Sequence, residues 1–149
     1  MTPSTWGPPI WNLFHTLAQK IKEERFPELG QQLFGHIRKI CRYLPCPDCS
    51  DHASRFLSNV VPNNLKIKQH LINLLFVMHN VVNKRKQKQL CGKDIVEQYK
   101  NKNVIQVYNN FVSVYKTRGN MKLMTDTFQR QILMNEFKKW LIGNIRAFV

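Results

Sequence analysis

The sequence predicts an all-α protein, and three observations carry that expectation. Apolar residues recur at helical spacing through nearly the whole chain. Each periodic segment has a single apolar stripe, which is stable only when buried against the stripe of another helix. Breakers separate the segments: Pro45, Val61-Pro62-Asn63-Asn64 and Gly119-Asn120. A length of 149 residues suits one compact unit, and 43% apolar with 21% charged residues excludes general disorder.

In the first element Ile10, Leu13, Phe14, Leu17, Ala18 and Ile21 form the stripe, Ser4 or Thr5 is placed to cap it, and Pro8 and Pro9 suit its first turn. Leu29, Leu33, Ile37, Ile40, Cys41 and Leu44 make the second stripe, ended by Pro45. A third helix starts at Pro47 and carries Cys49, Ala53, Phe56, Leu57 and Val60. The fourth has Leu71, Leu74, Leu75, Met78 and Val82 on one face, and Lys84-Arg85-Lys86-Gln87-Lys88 reads as its solvated end. Ile95, Val96 and Tyr99 indicate a short fifth helix. Residues 104–115 fit a helix through Val104, Tyr108, Phe111, Val112 and Tyr115, although their β-branched content also allows a strand. After a turn at Gly119-Asn120, Phe128, Leu133, Phe137, Trp140, Leu141 and Phe148 form a last helix with a basic opposite face.

Several classes are excluded or disfavoured. The longest apolar run, Leu71 to Val82, is interrupted and too short for a membrane span. The N-terminal residues lack a secretory pattern, so a cytoplasmic protein is expected. Lys plus Arg is 23 against 9 for Asp plus Glu, a balance of +14 that favours anionic partners without naming one. Three of the four cysteines fall within nine residues, and a Cys-x-x-Cys without a secretory signal reads as redox or metal chemistry.

The residues able to do chemistry lie on separate elements. Cys46-Pro47-Asp48-Cys49 puts two thiols at a helix start, where the helix N-terminus favours a thiolate and the sulfurs can reach each other. Half of a zinc site and a structural bridge are the rival readings; Cys41, Cys46, Cys49 and His52 would make a full zinc set, but Cys41 falls on an apolar stripe. His15 follows Trp11 by one turn. His52 follows Cys49 by three residues. His79, Asn80 and Asn83 sit within the most apolar helix, where buried imidazole and carboxamide groups need partners. A large polar ligand held between helices satisfies all three sets.

In order along the chain, Trp6-Gly7-Pro8-Pro9-Ile10-Trp11 with His15-Thr16-Leu17-Ala18, Cys46-Pro47-Asp48-Cys49-Ser50-Asp51-His52, and His79-Asn80-Val81-Val82-Asn83 resemble the motifs of the Erv/ALR family of FAD-linked sulfhydryl oxidases. The resemblance covers roughly residues 4 to 100. It implies a four-helix bundle with a short fifth helix, holding FAD in its mouth, and a core spanning residues 1–100. It implies that Trp6, Gly7 and Trp11 pack on the cofactor with His15 nearby, that His79, Asn80 and Asn83 contact its adenosine part, and that Cys49 and His52 lie toward the flavin ring. Lys88 takes the place of a cofactor-contacting lysine, although the family's Leu-Gly-Lys-Pro reads Lys86-Gln87-Lys88-Gln89 here. Tyr99 stands for an aromatic that closes on adenine.

The implied reaction is disulfide formation in protein dithiols by exchange at Cys46–Cys49, with electrons passing through FAD to oxygen to give hydrogen peroxide. A homodimer is implied as well. The chain departs from many members in having no second Cys-x-x-Cys, and in this it is similar to the minimal branch of large double-stranded DNA viruses, which acts in the host cytoplasm. Cys41 and Cys91 are left to bridge each other, bridge a dimer or stay free, with Cys91 the candidate for a second redox thiol. Residues 101–149 form an extension expected to pack on the core or on a second subunit. The alternative to an oxidase is a non-enzymatic basic helical module, zinc-stabilised or not, that binds nucleic acid.

Overall fold

A computed structural model describes residues 3–116 and 124–149. Its elements are α1 (Pro3–Lys20), α2 (Phe26–Arg42), α3 (Pro47–Ser58), α4 (Lys68–Arg85), α5 (Lys93–Glu97), α6 (Val104–Tyr115) and α7 (Met124–Gly143), with short 3-10 turns between them and a last one at Ile145–Phe148. No strand occurs among the described residues. The Gly119-Asn120 turn lies outside them.

The first four helices pack around one core, α1 on α4, α4 on α2 and α2 on α3. Their buried positions are the apolar stripes of the sequence: Ile10, Leu13, Phe14 and Leu17 of α1, Leu29, Leu33, Ile37 and Ile40 of α2, Leu57 of α3, and Leu71, Leu75 and Met78 of α4. Burying each such side chain contributes roughly 1.5–3 kcal/mol. Lys68 at the start of α4 donates its ammonium to the carbonyls of Gln19 and Ile21, at 3.0 and 3.2 Å, and so caps the end of α1. Gly30 of α2 is where the Phe26 ring folds back; a Cβ there would stand 2.6 Å from Phe26 Cζ.

The N-terminus of α1 differs from the sequence expectation. The helix starts at Pro3, so Ser4 and Thr5 lie within it instead of capping it, and Pro8 and Pro9 fall in its interior. Two prolines there remove two ladder N–H donors. Packing holds this turn: Trp6 and Ile10 are both buried in the core.

Residues 104–115 resolve to a helix. Asn103 caps it, its side-chain oxygen accepting the Gln106 N–H at 3.0 Å, and Val104, Val107, Phe111 and Tyr115 bury one face, chiefly against α1. Tertiary burial overrides the β-branched preference here. α7 lies against α2, with Trp140 Nε1 donating to Gln32 Oε1 at 2.7 Å and Lys39 paired with Glu136 at 3.4 Å. The terminal 3-10 turn returns to α1, where Lys22 N–H donates to the Ala147 carbonyl at 2.8 Å. The expected α7 stripe is wrong at two places. Phe128 is 62% exposed, and Phe148 belongs to the separate terminal turn. The buried line is Arg130, Leu133, Phe137 and Leu141, spaced by three and four residues.

Candidate functional site

The turn from α2 into α3 sets up the dithiol. Cys46 is the N-cap of α3, extended at φ −124° and ψ 113°, and Pro47 occupies the first helical position. The Cys46 sulfur accepts the Cys49 N–H at 3.2 Å, and the two sulfurs lie 2.6 Å apart. Only a small displacement separates this arrangement from a disulfide. Burial, the hydrogen bond to Cys46 and the charge of the neighbouring sulfur push the Cys49 thiol up to about 11, while Lys86 and Arg85 pull the other way. Burial first, and then the adjacent sulfur, therefore keep Cys49 protonated in the dithiol.

Cys49 lines a cleft between α1, α3 and α4. Its walls are apolar, from Trp6, Ile10, Phe14, Leu44, Ala53 and Met78, with Arg85 and Lys86 at the rim. One feature marks it as a ligand slot. Trp6 Nε1 is buried and finds no hydrogen-bond partner among the described residues.

The cleft continues past Gly7, Trp11, Val82 and Lys86 into a second compartment, where His79, Asn83, Lys88 and Tyr99 join the lining. Aromatic rings are layered here. Trp11 stacks on His79 with centroids 4.1 Å apart and planes 7° apart, and His15 stacks on Tyr99 at 4.8 Å. His15 Nε2 and His79 Nδ1 share a hydrogen bond at 2.9 Å, one ring donating and the other accepting. Burial, then the adjacent His79, lowers His15 to about 3; burial, then Lys88, lowers His79 to about 4. Both rings are neutral at pH 7.

The C-terminal end of α4 aims the cations. Gln87 takes φ +58°. The Gln87 N–H donates to the Lys84 carbonyl at 3.1 Å and the Lys88 N–H to the Asn83 carbonyl at 2.8 Å. These are the two bonds of a Schellman cap. The cap carries Lys86 and Lys88 to the trough, and Lys86 lies 5.9 Å over the Trp6 ring. The basic run is thus only partly a solvated helix end.

The other candidates fall around this trough. Asn80 is not among its lining residues; it clamps the following loop, donating to the Cys91 carbonyl at 3.0 Å and accepting the Cys91 N–H at 2.7 Å. His52 stands at the outer edge, 3.8 Å from Asp48, in a recess with Phe56 and Val81 that shares Ala53, Met78, Val82 and Arg85 with the Cys49 cleft. Cys41 is fully buried in the floor of that cleft, and burial pushes its thiol up to about 12. The Cys91 sulfur lies 3.5 Å from Asn83 Nδ2 and 3.9 Å from His79 Nδ1, so Cys41 and Cys91 are not bridged to each other. Among the described residues no three His, Cys, Asp or Glu side chains converge on a metal centre. Sequence reasoning missed Arg85 and Lys86 as site residues. The signal was present, since both follow Val82 by a helical turn.

Comparison with known proteins agrees with the motifs. Residues 8–102 match the Erv1/Alr family, and the chain belongs to it. It is 30% identical over 102 residues to the FAD-linked sulfhydryl oxidase 096R of Invertebrate iridescent virus 3, covering 66% of this chain and 68% of that one. It is 28% identical over 99 residues to the FAD-linked sulfhydryl oxidase 347L of Invertebrate iridescent virus 6, covering 62% and 89%. A third relative, the FAD-linked sulfhydryl oxidase FPV093 of Fowlpox virus (strain NVSL), is 26% identical over 83 residues, covering 56% and 80%. No solved structure matches the chain significantly.

Proposed function

We propose that this member of the Erv1/Alr family is an FAD-linked sulfhydryl oxidase that forms disulfides in protein substrates at Cys46–Cys49. One observation carries the reading: Cys49 lines the ligand slot, whereas Cys46, 2.6 Å away, is half-buried and absent from its lining. One sulfur is thus turned to a cofactor and the other to incoming thiols.

The trough fits FAD. An apolar slot with an orphaned indole N–H suits a flavin ring carrying acceptors, and the His15–His79–Trp11–Tyr99 layers suit adenine. Arg85, Lys86 and Lys88 between them suit a pyrophosphate. These three cations have an anion to hold without any nucleic-acid partner. What FAD supplies when bound is a two-electron acceptor for the reduced pair and a route from there to oxygen, with hydrogen peroxide as product.

The protein's part is thiol exchange. With the pair oxidised, a substrate thiolate attacks the more accessible sulfur, Cys46, and Cys49 departs. The second substrate thiol then attacks the mixed disulfide and displaces Cys46. The substrate leaves as a disulfide, and two electrons and two protons remain on the pair. The raised Cys49 holds a proton at this stage, and Arg85 with Lys86 favours its release as electrons leave. Asn80 keeps the Cys91 loop closed over the adenosine end. Helices α6 and α7 belong to the same unit, supported by the packing of α6 on α1 and of α7 on α2, and the family resemblance supports a homodimer. Oxygen uptake and peroxide release with dithiothreitol test the reading. Both should vanish in Cys49→Ala, and activity surviving in that variant would overturn it.

A further inference from the structure

The family match ends at residue 102, yet groups from beyond it reach the turn that carries the dithiol. Tyr115, the last residue of α6, is fully buried and donates its hydroxyl to the Ile40 carbonyl at 3.0 Å. Arg130 of α7 is 1% exposed. Its Nη1 donates to the Tyr43 carbonyl at 3.3 Å, its Nη2 to Thr127 Oγ1 at 3.1 Å, and its guanidinium lies 5.8 Å over the Tyr115 ring. Ile40 is in the last turn of α2 and Tyr43 is its C-cap. The Ile40 carbonyl also accepts the Tyr43 N–H at 3.2 Å, so the Tyr115 hydroxyl is its second donor; the Tyr43 carbonyl lies past the last helical turn, where a cation also suits the helix dipole.

From Tyr43 the connection to the sulfurs is short. The Leu44 N–H donates to Ser50 Oγ at 2.7 Å, and the Ser50 N–H donates to the Cys46 carbonyl at 3.0 Å. The end of α2 and the turn after it are therefore held from one side by α6, at Ile40, and by α7, at Tyr43, and from the other by α3. Burying a guanidinium is costly, and a leucine would fill a stripe position more cheaply. What leucine cannot do is donate to a carbonyl while stacking on a ring.

We propose that Arg130, seated on Tyr115, is a positioning residue for the redox turn: it fixes the end of α2 so that Cys46 stays at the N-cap of α3 with its sulfur against Cys49. This makes the C-terminal extension part of the thiol-exchange apparatus. The inference rests on the exchange reading above, but its test needs neither flavin nor oxygen.

The full-length protein is equilibrated in glutathione redox buffers, and the fraction of Cys46–Cys49 disulfide is read by mass spectrometry. Urea midpoints are measured alongside. Arg130→Met should make the disulfide about tenfold easier to reduce, the effect of losing one charge-assisted hydrogen bond. Arg130→Lys, which keeps the charge and loses the fork, should recover only part of that. Tyr115→Phe removes a single hydroxyl from a packed ring and should shift the equilibrium about threefold in the same direction, roughly one neutral hydrogen bond; it keeps the test alive if Arg130→Met does not fold. Lowered urea midpoints with an unchanged glutathione equilibrium would overturn the positioning role and leave Arg130 as scaffold. A wild-type pair that never equilibrates with glutathione would overturn this inference together with the exchange reading.

Discussion

Acidification should loosen the His15–His79 end of the trough, and His15 should be the cause. Its imidazole is 1% exposed, stacks on Tyr99 and shares its Nε2 with His79. Burial, then His79, lowers it from 6.5 to about 3 in the folded protein. Below pH 6.5 the unfolded chain takes up a proton at this ring while the folded chain refuses it. The stabilisation is thus complete above pH 6.5 and is lost as pH falls toward 3. Between pH 7 and pH 4 the loss from this residue is about 3 kcal/mol, at roughly 1.4 kcal/mol per pH unit. His79, lowered to about 4 by burial and Lys88, is more open and adds less. The assay is urea unfolding of the flavin-free protein at pH 7, 5.5 and 4, followed by far-UV circular dichroism. His15→Gln is the control, because its amide keeps a donor for His79 and does not titrate. At ~2 kcal/mol per molar urea, the wild-type midpoint should fall about 1.5 M further than that of the variant. The carboxylates titrate equally in both proteins and cancel. Parallel curves from pH 7 to pH 4 would refute the reasoning.

Other perturbations follow from single contacts. Gln87→Gly should stabilise the protein by up to about 1 kcal/mol, because glycine takes the left-handed cap position without the strain a side chain incurs there; a lower thermal midpoint would mean that the Gln87 side chain carries a contact of its own. Gly30→Ala should destabilise by about 1–2 kcal/mol despite better helix propensity, since the new Cβ would stand 2.6 Å from the buried Phe26 ring. An unchanged urea midpoint would show that the ring has room. In Asn80→Ala the Cys91 amide, which donates to Asn80 Oδ1 at 2.7 Å, should exchange its hydrogen about tenfold faster, and flavin should bind more weakly. Unaltered exchange would remove Asn80 from the role of loop clamp.

Periodicity reads the stripes of the first four helices well because each has one apolar face, and Pro45 and Pro62 mark the breaks on either side of α3. It fails where the deciding force is not apolar. In α7 the buried line includes Arg130, which a count of hydrophobic residues skips in favour of Phe128, and Phe128 is exposed. Residues 104–115 could not be settled locally, because burial on α1 decides between helix and strand. The start of α1 was misplaced because Pro8 and Pro9 signal a first turn, whereas tertiary packing carries the helix back to Pro3.

The site was legible as chemistry more than as geometry. Trp11, His15, His79 and Tyr99 do share one aromatic layer set, and Cys49 does face Trp6 across one cleft. The division of labour between neighbours was not legible. Asn83 lines the trough while Asn80 turns aside to hold Cys91. Motif spacing gives residue types at helical positions, but which side chain meets the ligand depends on the loop that folds over it.

The most direct test of the central claim is the visible spectrum of the purified protein before and after dithiothreitol, added without oxygen. The account predicts a bound flavin spectrum that bleaches with dithiothreitol in the wild type. In Cys49→Ala the flavin should stay bound and stay yellow under the same treatment. A protein that remains colourless after incubation with FAD, or a flavin that bleaches equally fast without Cys49, would contradict it.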